Sequence, residues 1–277
     1  MPWALGPPDG RYLLRPPDSE PDGPPSHVLV IATLGAVERR ARRIGRRTRQ
    51  SQAPPEPEPA SVTTGRATVI DVGEQFPDEH QAAAWLSGAG EEQLAADLAV
   101  LNRALHAFRL ATADPYLNPV ERHQALVARI GYGRGEEVAD GLWTDARELV
   151  VLGRRQRRSR ILHPQARLAA LLGGRERPLA SEELALRARL DLDHDRRREA
   201  ALQVLVALDA AIAELVSEPQ AAALEERIEE LRGQRDPVAH VAQAALEGPL
   251  DDAQRQTIEF ALGRIEAALR ARLVAGS

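Results

Sequence analysis

The sequence predicts a mainly α-helical protein, in which a helical bundle-like C-terminal region follows a small N-terminal α+β element of about three short strands. Two observations indicate this fold class. From residue 77 onward, apolar residues recur every three or four positions almost throughout, which is the helical period. Short β-branched runs are confined to the preceding residues. We therefore divide the chain into an α+β element, residues 1–76, and a helical domain, residues 77–277.

Three segments near the N-terminus have the composition of strands. Residues 11–15 form the first candidate, and residues 27–34 form a continuous β-branched run that suits a buried strand. Residues 66–72 form the third candidate. Three short strands make only a small sheet, so we expect a helical layer to cover one of its faces.

A basic helix and a proline-rich linker separate the second and third strands. Within residues 37–49, four residues at i, i+4, i+7 and i+11 form a narrow apolar stripe on one face of a helix. The rest of this segment carries seven arginines against one glutamate. Residues 54–59 contain four prolines, which favours an extended, solvated linker.

Capping residues indicate where several later helices begin and end. The first two helices are predicted at residues 78–86 and 91–112. Asn118–Pro119 and Asp236–Pro237 each combine a polar cap with a proline at the first helical position, so both predict a helix start. Gly173–Gly174 and Gly233 predict helix ends, because glycine commonly terminates helices.

Apolar rows predict three further helices toward the end of the chain. Residues 199–216 are apolar on most of the helix circumference, which is typical of a helix in the middle of a bundle. The two closing helices are one-sided, and in the last of them we interpret the row that contains Ile265 and Leu269 as a candidate dimer face. The apolar row of the first closing helix is Leu224, Ile228 and Leu231, and that of the last helix is Ile258, Leu262, Ile265, Leu269 and Leu273.

Composition excludes several classes of protein. All 36 basic residues are arginine, the net charge is -5, and the chain has no cysteine. Disulfide scaffolds, zinc fingers, iron–sulfur sites and thiol chemistry are therefore excluded. The chain has no uncharged apolar stretch of about 20 residues, so we expect no transmembrane helix. The first residues lack the basic and apolar regions of a secretory signal, and we expect a cytoplasmic protein.

The glycine-rich segment 131–137 is a candidate partner loop. A dinucleotide-binding fingerprint requires a strand, a glycine turn and a helix whose N-terminus faces phosphate. Here the glycine spacing differs, and Glu136 and Glu137 would repel an anion. We interpret the segment as a turn between helices, in which Tyr132 and Arg134 could contact a partner, and we expect no cofactor.

Alternating carboxylates at residues 191–195 suggest a metal site, but the details favour a solvated turn. A calcium loop needs glycine at its sixth position and glutamate at its twelfth. Those positions hold Arg196 and Leu202. We expect the following arginines to pair with the carboxylates, and we expect Asp195 to cap the next helix. No metal is predicted.

Two arginine runs are the strongest functional feature of the sequence. One lies within residues 37–49 and the other within 154–160, whereas residues 67–102 hold seven acids and no arginine. The arginines could pair with acidic surface of this chain or of a second subunit, or they could bind the phosphate backbone of a nucleic acid. An anionic membrane is a third interpretation, although the stripe of the first run lacks Trp, Phe and Leu. The candidate residues are Arg39, Arg40, Arg42, Arg43, Arg46, Arg47, Arg49, Arg154, Arg155, Arg157, Arg158 and Arg160.

The leading functional hypothesis is a non-catalytic interaction, assembly or regulatory protein that binds a protein partner, or itself, through its C-terminal helices. Helical surfaces and the lack of local catalytic motifs favour this hypothesis. The alternative is a nucleic-acid-binding protein that recognises the backbone without sequence specificity, since aromatic stacking partners are missing near both runs. A second alternative is an enzyme whose site lies between helices.

Overall fold

The computed structural model confirms the predicted fold class. The described part of the chain is mainly helical, with eight helices, a three-stranded sheet and a two-stranded hairpin. None of its helices is both long enough and apolar enough to cross a membrane. The residues described are 5–16, 23–35, 64–73, 75–149 and 164–275.

Internal contacts divide the chain into two compact units, Met1–Arg154 and Arg155–Ser277. The first unit contains the N-terminal sheet together with two helices that follow it in the chain. It also contains a short hairpin with one helical turn, within residues 128–149, and the second unit contains the five helices that follow. The domain boundary between residues 76 and 77 stays a prediction.

The N-terminal sheet consists of three antiparallel strands, and all three were predicted. They are β1 (Gly10–Leu14), β2 (His27–Leu34) and β3 (Thr64–Asp71), with β2 in the middle. Leu29 and Ile31 of β2 are buried on one face of the sheet. Their alternation places them on the same side, as the two-residue period of a strand requires.

Two helices follow the sheet, α1 (Glu79–Gly88) and α2 (Glu91–Thr112). Asp78 caps α1, because its carboxylate accepts a hydrogen bond from the Gln81 backbone N–H at 2.8 Å. Leu101 and Leu105 of α2 pack with the buried face of β2. The helical layer expected over the sheet is therefore α2.

A short hairpin follows these helices, and sequence analysis missed it. It consists of β4 (Ala128–Tyr132), α3 (Gly135–Ala139) and β5 (Asp145–Leu149), with the two strands paired antiparallel. The helix start predicted at Asn118 is wrong. The Asn118 side chain instead donates to the Tyr116 carbonyl at 3.1 Å, which stabilises a local turn.

The second unit is built around four helices whose short connections make sequence neighbours antiparallel. Each of them packs against the next, and the last packs against the first, so that they form a four-helix bundle. A shorter helix, α4 (Pro164–Leu172), precedes them. The bundle helices are α5 (Ala180–Asp193), α6 (Arg197–Val216), α7 (Glu225–Glu247) and α8 (Asp252–Ala275).

Helix α6 is the central element of the bundle, as its sequence predicts. It packs against α5, α7 and α8. One row of its side chains is completely buried, and four members of this row are alanine or valine. Small side chains let neighbouring helices approach closely. The buried row is Ala200, Val204, Ala207, Ala211 and Leu215.

Helix α7 continues through two predicted interruptions. Gly233 and Pro237 both lie inside it, so the predicted helix end and the predicted helix start at Asp236–Pro237 are wrong. The buried residues Leu231 and Val238 on either side of the interruptions face the same core. Packing of this continuous apolar row outweighs the local helix-breaking tendency of glycine and proline.

We expect Pro237→Ala to raise the free energy of unfolding by about 1–2 kcal/mol. The proline lacks the N–H that would bond to the Gly233 carbonyl, and its ring crowds that carbonyl. Position 237 is exposed, so alanine creates no new clash. Urea denaturation measures the change, with Pro249→Ala, outside the helices, as the control. A fall in stability would show that the proline is required for the path of α7.

Candidate interaction surfaces

Helix α6 carries a second row of side chains on the side that faces away from the core. The spacing along this row is 4-3-4-3, which places its members on one side of a helix and is the spacing of a coiled-coil seam. Leu202, Val206 and Val216 are 37%, 54% and 47% exposed. We call the five exposed residues the outer row: Leu202, Val206, Asp209, Ala213 and Val216.

The outer row contributes little to the bundle core, which the buried row on the opposite side of α6 fills. Its one charged member, Asp209, accepts a hydrogen bond from Nε of Arg235 at 2.8 Å. This exposed ion pair neutralises the carboxylate and contributes no more than about 1 kcal/mol to stability. The outer row is therefore an apolar strip of surface whose only charge is compensated.

The stripe that we predicted as a dimer face on the last helix lies in the core instead. Ile265 is completely buried and Leu269 is 8% exposed. Both belong to the same apolar cluster as the buried row of α6. Periodicity identifies an apolar side of a helix but not the partner that covers it. Self-association through other faces of the C-terminal helices stays a prediction.

A network of ion pairs joins α4, α5 and α8 with the loops at one end of the bundle. Arg272 of α8 donates to Glu218 at 2.8 Å, and its side chain is only 11% exposed. Arg167 of α4 donates to Glu182 at 2.6 Å and to Glu176 at 3.0 Å. These partly buried pairs fix the orientation of the elements that they join.

Glu214 of α6 caps the N-terminus of α5 from a neighbouring helix. Its carboxylate accepts hydrogen bonds from the backbone N–H groups of Ala180 at 2.8 Å and Ser181 at 3.1 Å, and from the Ser181 hydroxyl at 2.6 Å. Burial raises the pKa of Glu214, but these hydrogen bonds outweigh burial and lower the pKa below its ordinary value. Ser181, completely buried, is thereby satisfied.

Two of the three carboxylates of residues 191–195 pair with arginines that follow them, as predicted, whereas Asp193 pairs with the preceding Arg189 at 3.9 Å. Arg196 pairs with Asp191 at 2.7 Å, and Arg197 pairs with Asp195 at 2.7 Å. The predicted cap is wrong by one residue: Arg196 occupies the N-cap position of α6, and Asp195 adopts a left-handed backbone conformation at φ 55°. In the part of the chain described, no group of three or more His, Asp or Glu side chains is arranged to hold a metal ion.

The glycine-rich segment is not a turn between helices, because Gly131 and Tyr132 belong to β4. The ring of Tyr132 packs against the cluster of Leu86, Ala89 and Ile130. Burial is also the main reason why the pKa of Tyr132 is raised. Arg134 is exposed at the start of α3. Contact of Tyr132 and Arg134 with a partner stays a prediction.

The two arginine runs, residues 39–49 and 154–160, lie outside the described residues. Whether they pair with acidic segments therefore stays a prediction. The described arginines of the bundle, by contrast, are largely engaged with carboxylates of the same unit, as in Arg189 with Glu266 at 2.9 Å and Arg264 with Glu230 at 2.8 Å.

Comparison of the chain with protein-family models, with curated proteins and with solved structures found no match.

Proposed function

We propose that the chain is a non-catalytic interaction or assembly protein, which binds a helix of a protein partner along the outer row of α6. The observation that carries this proposal is the 4-3-4-3 spacing of exposed residues on the helix that already contributes most to the core. A surface helix needs only one apolar stripe to pack in its own domain. The second stripe on α6 is unused by the bundle.

The geometry of the outer row suits a helical partner. The row extends over 15 residues, from Leu202 to Val216, and so runs for about 21 Å at the helical rise. Apolar residues at this spacing interlock with a matching row on another helix. Ala213 allows close approach near one end of the row, and the compensated charge of Asp209 offers a polar contact that would fix the register. Affinity for the partner helix would therefore come from apolar packing rather than from electrostatic attraction.

We expect Val206→Arg to weaken partner binding or self-association by at least about tenfold, because it places a charge in the middle of an apolar contact. Val206 is 54% exposed, so the bundle should remain folded. Light scattering measures self-association of the full chain. Affinity capture from the native extract, with wild-type and variant compared quantitatively, measures binding of a heterologous partner.

The matched control is Leu246→Arg, since Leu246 is 60% exposed on α7 and lies outside the outer row. It adds the same charge to the same unit and should leave association unchanged. A monomeric wild-type chain that captures the same proteins as the Val206→Arg variant would overturn the proposal. Equal losses in both variants would overturn it as well, because they would indicate an effect of charge alone.

The alternative proposal is that the two arginine runs bind the phosphate backbone of a nucleic acid. The concentrated positive charge of the runs supports this proposal, because their sequences contain little acid that could neutralise it. Described arginines of the bundle, such as Arg189 and Arg264, have acidic partners nearby. Fluorescence anisotropy with a labelled duplex at about 50 and 200 mM salt tests this function. Affinity that falls steeply between the two concentrations would support it, and absence of binding at the lower one would overturn it.

The second alternative, an enzyme with a site between helices, draws no support from the interior of the described bundle. The buried side chains of the bundle are those of Ala, Val, Leu and Ile, together with Ser181. The hydroxyl of Ser181 is engaged by Glu214. A catalytic site would instead require titratable groups that converge on a cleft.

A further inference from the structure

Three of the nine aromatic residues of the chain come together where α1 packs against β4. The ring centroids of Phe76 and Trp85 are 5.3 Å apart, and the two ring planes are inclined by 47°. Trp85 and Tyr132 pack against the same small apolar cluster, to which α1 and β4 both contribute. We call Phe76, Trp85 and Tyr132 the aromatic patch. All three residues belong to the first unit.

The rings of the aromatic patch are incompletely covered by the rest of the unit. Phe76 is 43% exposed, and Trp85 and Tyr132 are half-buried. Among the described residues, an arginine lies over an aromatic ring at one place only, where the guanidinium of Arg264 is 5.1 Å from the centroid of the Phe260 ring. The faces of the patch are therefore not occupied by a described arginine, and a cation from another molecule can reach them.

Two carboxylates lie beside the aromatic patch. Asp145 of β5 is directly opposite Tyr132 of β4, so the two side chains lie on the same face of the hairpin. Glu79 lies in the first turn of α1. Burial raises the pKa of Tyr132, and the negative charges of Glu79 and Asp145 raise it further. Arg147 lies on the same face of the hairpin but opposite Ile130, one pair further along. The charges that act on Tyr132 are therefore negative.

Aromatic faces beside carboxylates are complementary to one class of ligand, an organic cation. The negative face of each ring attracts positive charge, and the carboxylates add to that attraction. A guanidinium is planar and stacks on a single ring, whereas the inclined rings of Phe76 and Trp85 present two faces in different directions. A rounded cation can contact both faces. An unmodified ammonium is strongly hydrated, so losing its water costs more than for a methylated one.

We propose that the aromatic patch binds a methylated ammonium group, as found in trimethyllysine and in choline. Phe76, Trp85 and Tyr132 contact the methyl groups, and Glu79 and Asp145 stabilise the positive charge. This site lies in the first unit, whereas the outer row of α6 lies in the second, so either proposal can fail without the other.

Nuclear magnetic resonance of choline in the presence of the full chain tests the proposal. Saturation transferred from the protein to the choline methyl groups measures binding, and the neutral comparison is the alcohol in which carbon replaces the charged nitrogen. We expect a Kd for choline of about 1–10 mM, at least about tenfold lower than that for the neutral alcohol. Acetylated trimethyllysine amide, measured in the same way, distinguishes the two sources. Tighter binding of this compound assigns the ligand to a modified protein, and tighter binding of choline assigns it to a small molecule.

Two substitutions separate the contribution of the rings from that of the charge. Phe76→Leu keeps an apolar side chain next to Trp85 but removes the ring face, and we expect it to weaken choline binding at least about fivefold. Glu79→Gln keeps the size of the side chain and removes its charge, and should weaken choline binding about threefold. Neither should change binding of the neutral alcohol. Circular dichroism establishes that each variant is folded.

The matched control is Phe260→Leu, since Phe260 is 54% exposed, lies in the second unit and has Arg264 over its ring. It removes the same ring from another surface and should leave choline binding unchanged. Equal affinity of the wild-type chain for choline and the neutral alcohol would overturn the proposal, as would no saturation transfer at about 50 mM choline. An equal loss in both phenylalanine variants would overturn it too, because binding would then not depend on the patch.

Discussion

Replacing Ile265 with glutamate is expected to unfold the bundle. Ile265 is completely buried in α8, in the same apolar cluster as Ile258 and Leu262. The substitution removes about 2–5 kcal/mol of apolar packing and adds the cost of burying an unpaired carboxylate. Together these losses are comparable with the whole stability of a typical domain, about 5–15 kcal/mol. Far-UV circular dichroism during heating measures the result.

The control for this experiment is Phe260→Glu, on the exposed side of the same helix. Phe260 is 54% exposed, and its ring lies 5.1 Å from the guanidinium carbon of Arg264. A glutamate at this position can pair with the same arginine one turn away, so we expect a change below about 1 kcal/mol. An Ile265→Glu variant that stayed folded but became monomeric would contradict the core position of Ile265 and restore the dimer face predicted from sequence.

Replacing Glu214 with alanine should cost about 2–4 kcal/mol. The substitution leaves two N–H groups at the start of α5 without their cap, and it leaves the buried hydroxyl of Ser181 without its acceptor. Chemical denaturation of the full chain measures the loss. Glu183→Ala, which removes an exposed i,i+4 pair with Arg187 on the same helix, should change stability by less than about 0.5 kcal/mol.

The same carboxylate makes part of the stability dependent on pH. The pKa of Glu214 is lower in the folded chain than its ordinary value of 4.5, so the folded state favours the ionised form. Its contribution is therefore fully present above the unfolded pKa and is lost as the pH falls through the lower, folded pKa. Glu214→Gln should flatten this part of the acid unfolding curve. An unchanged curve would contradict the role of the charged cap.

Sequence analysis located the elements whose signals are local. Strand β2 is a continuous β-branched run, and α2 has a regular apolar row, so both were found with their observed limits. The hairpin of β4 and β5 was missed, because its short strands contain glycine and charged residues and resemble loops. The helix end predicted at Gly233 and the helix start predicted at Asp236–Pro237 are wrong, since packing of α7 on both sides of these residues determines the helix.

The surfaces were harder to predict than the elements. The apolar character of α6 was evident, but composition could not separate the buried row that contains Val204 from the outer row that contains Val206. That distinction depends on which sides of α6 are covered by α5, α7 and α8. The hydrogen bond between Ser181 and Glu214 joins residues 33 positions apart, so no local sequence pattern predicts it.

Completely buried alanines on α5 and α6 limit which substitutions the bundle tolerates. Ala188, Ala200 and Ala207 are completely buried, so neighbouring helices meet there with almost no side-chain volume between them. At such a position, glycine keeps the spacing between the helices but lowers helix propensity. Any side chain larger than alanine must force the helices apart. Substitution is therefore much more restricted at these buried alanines than at exposed positions outside the outer row.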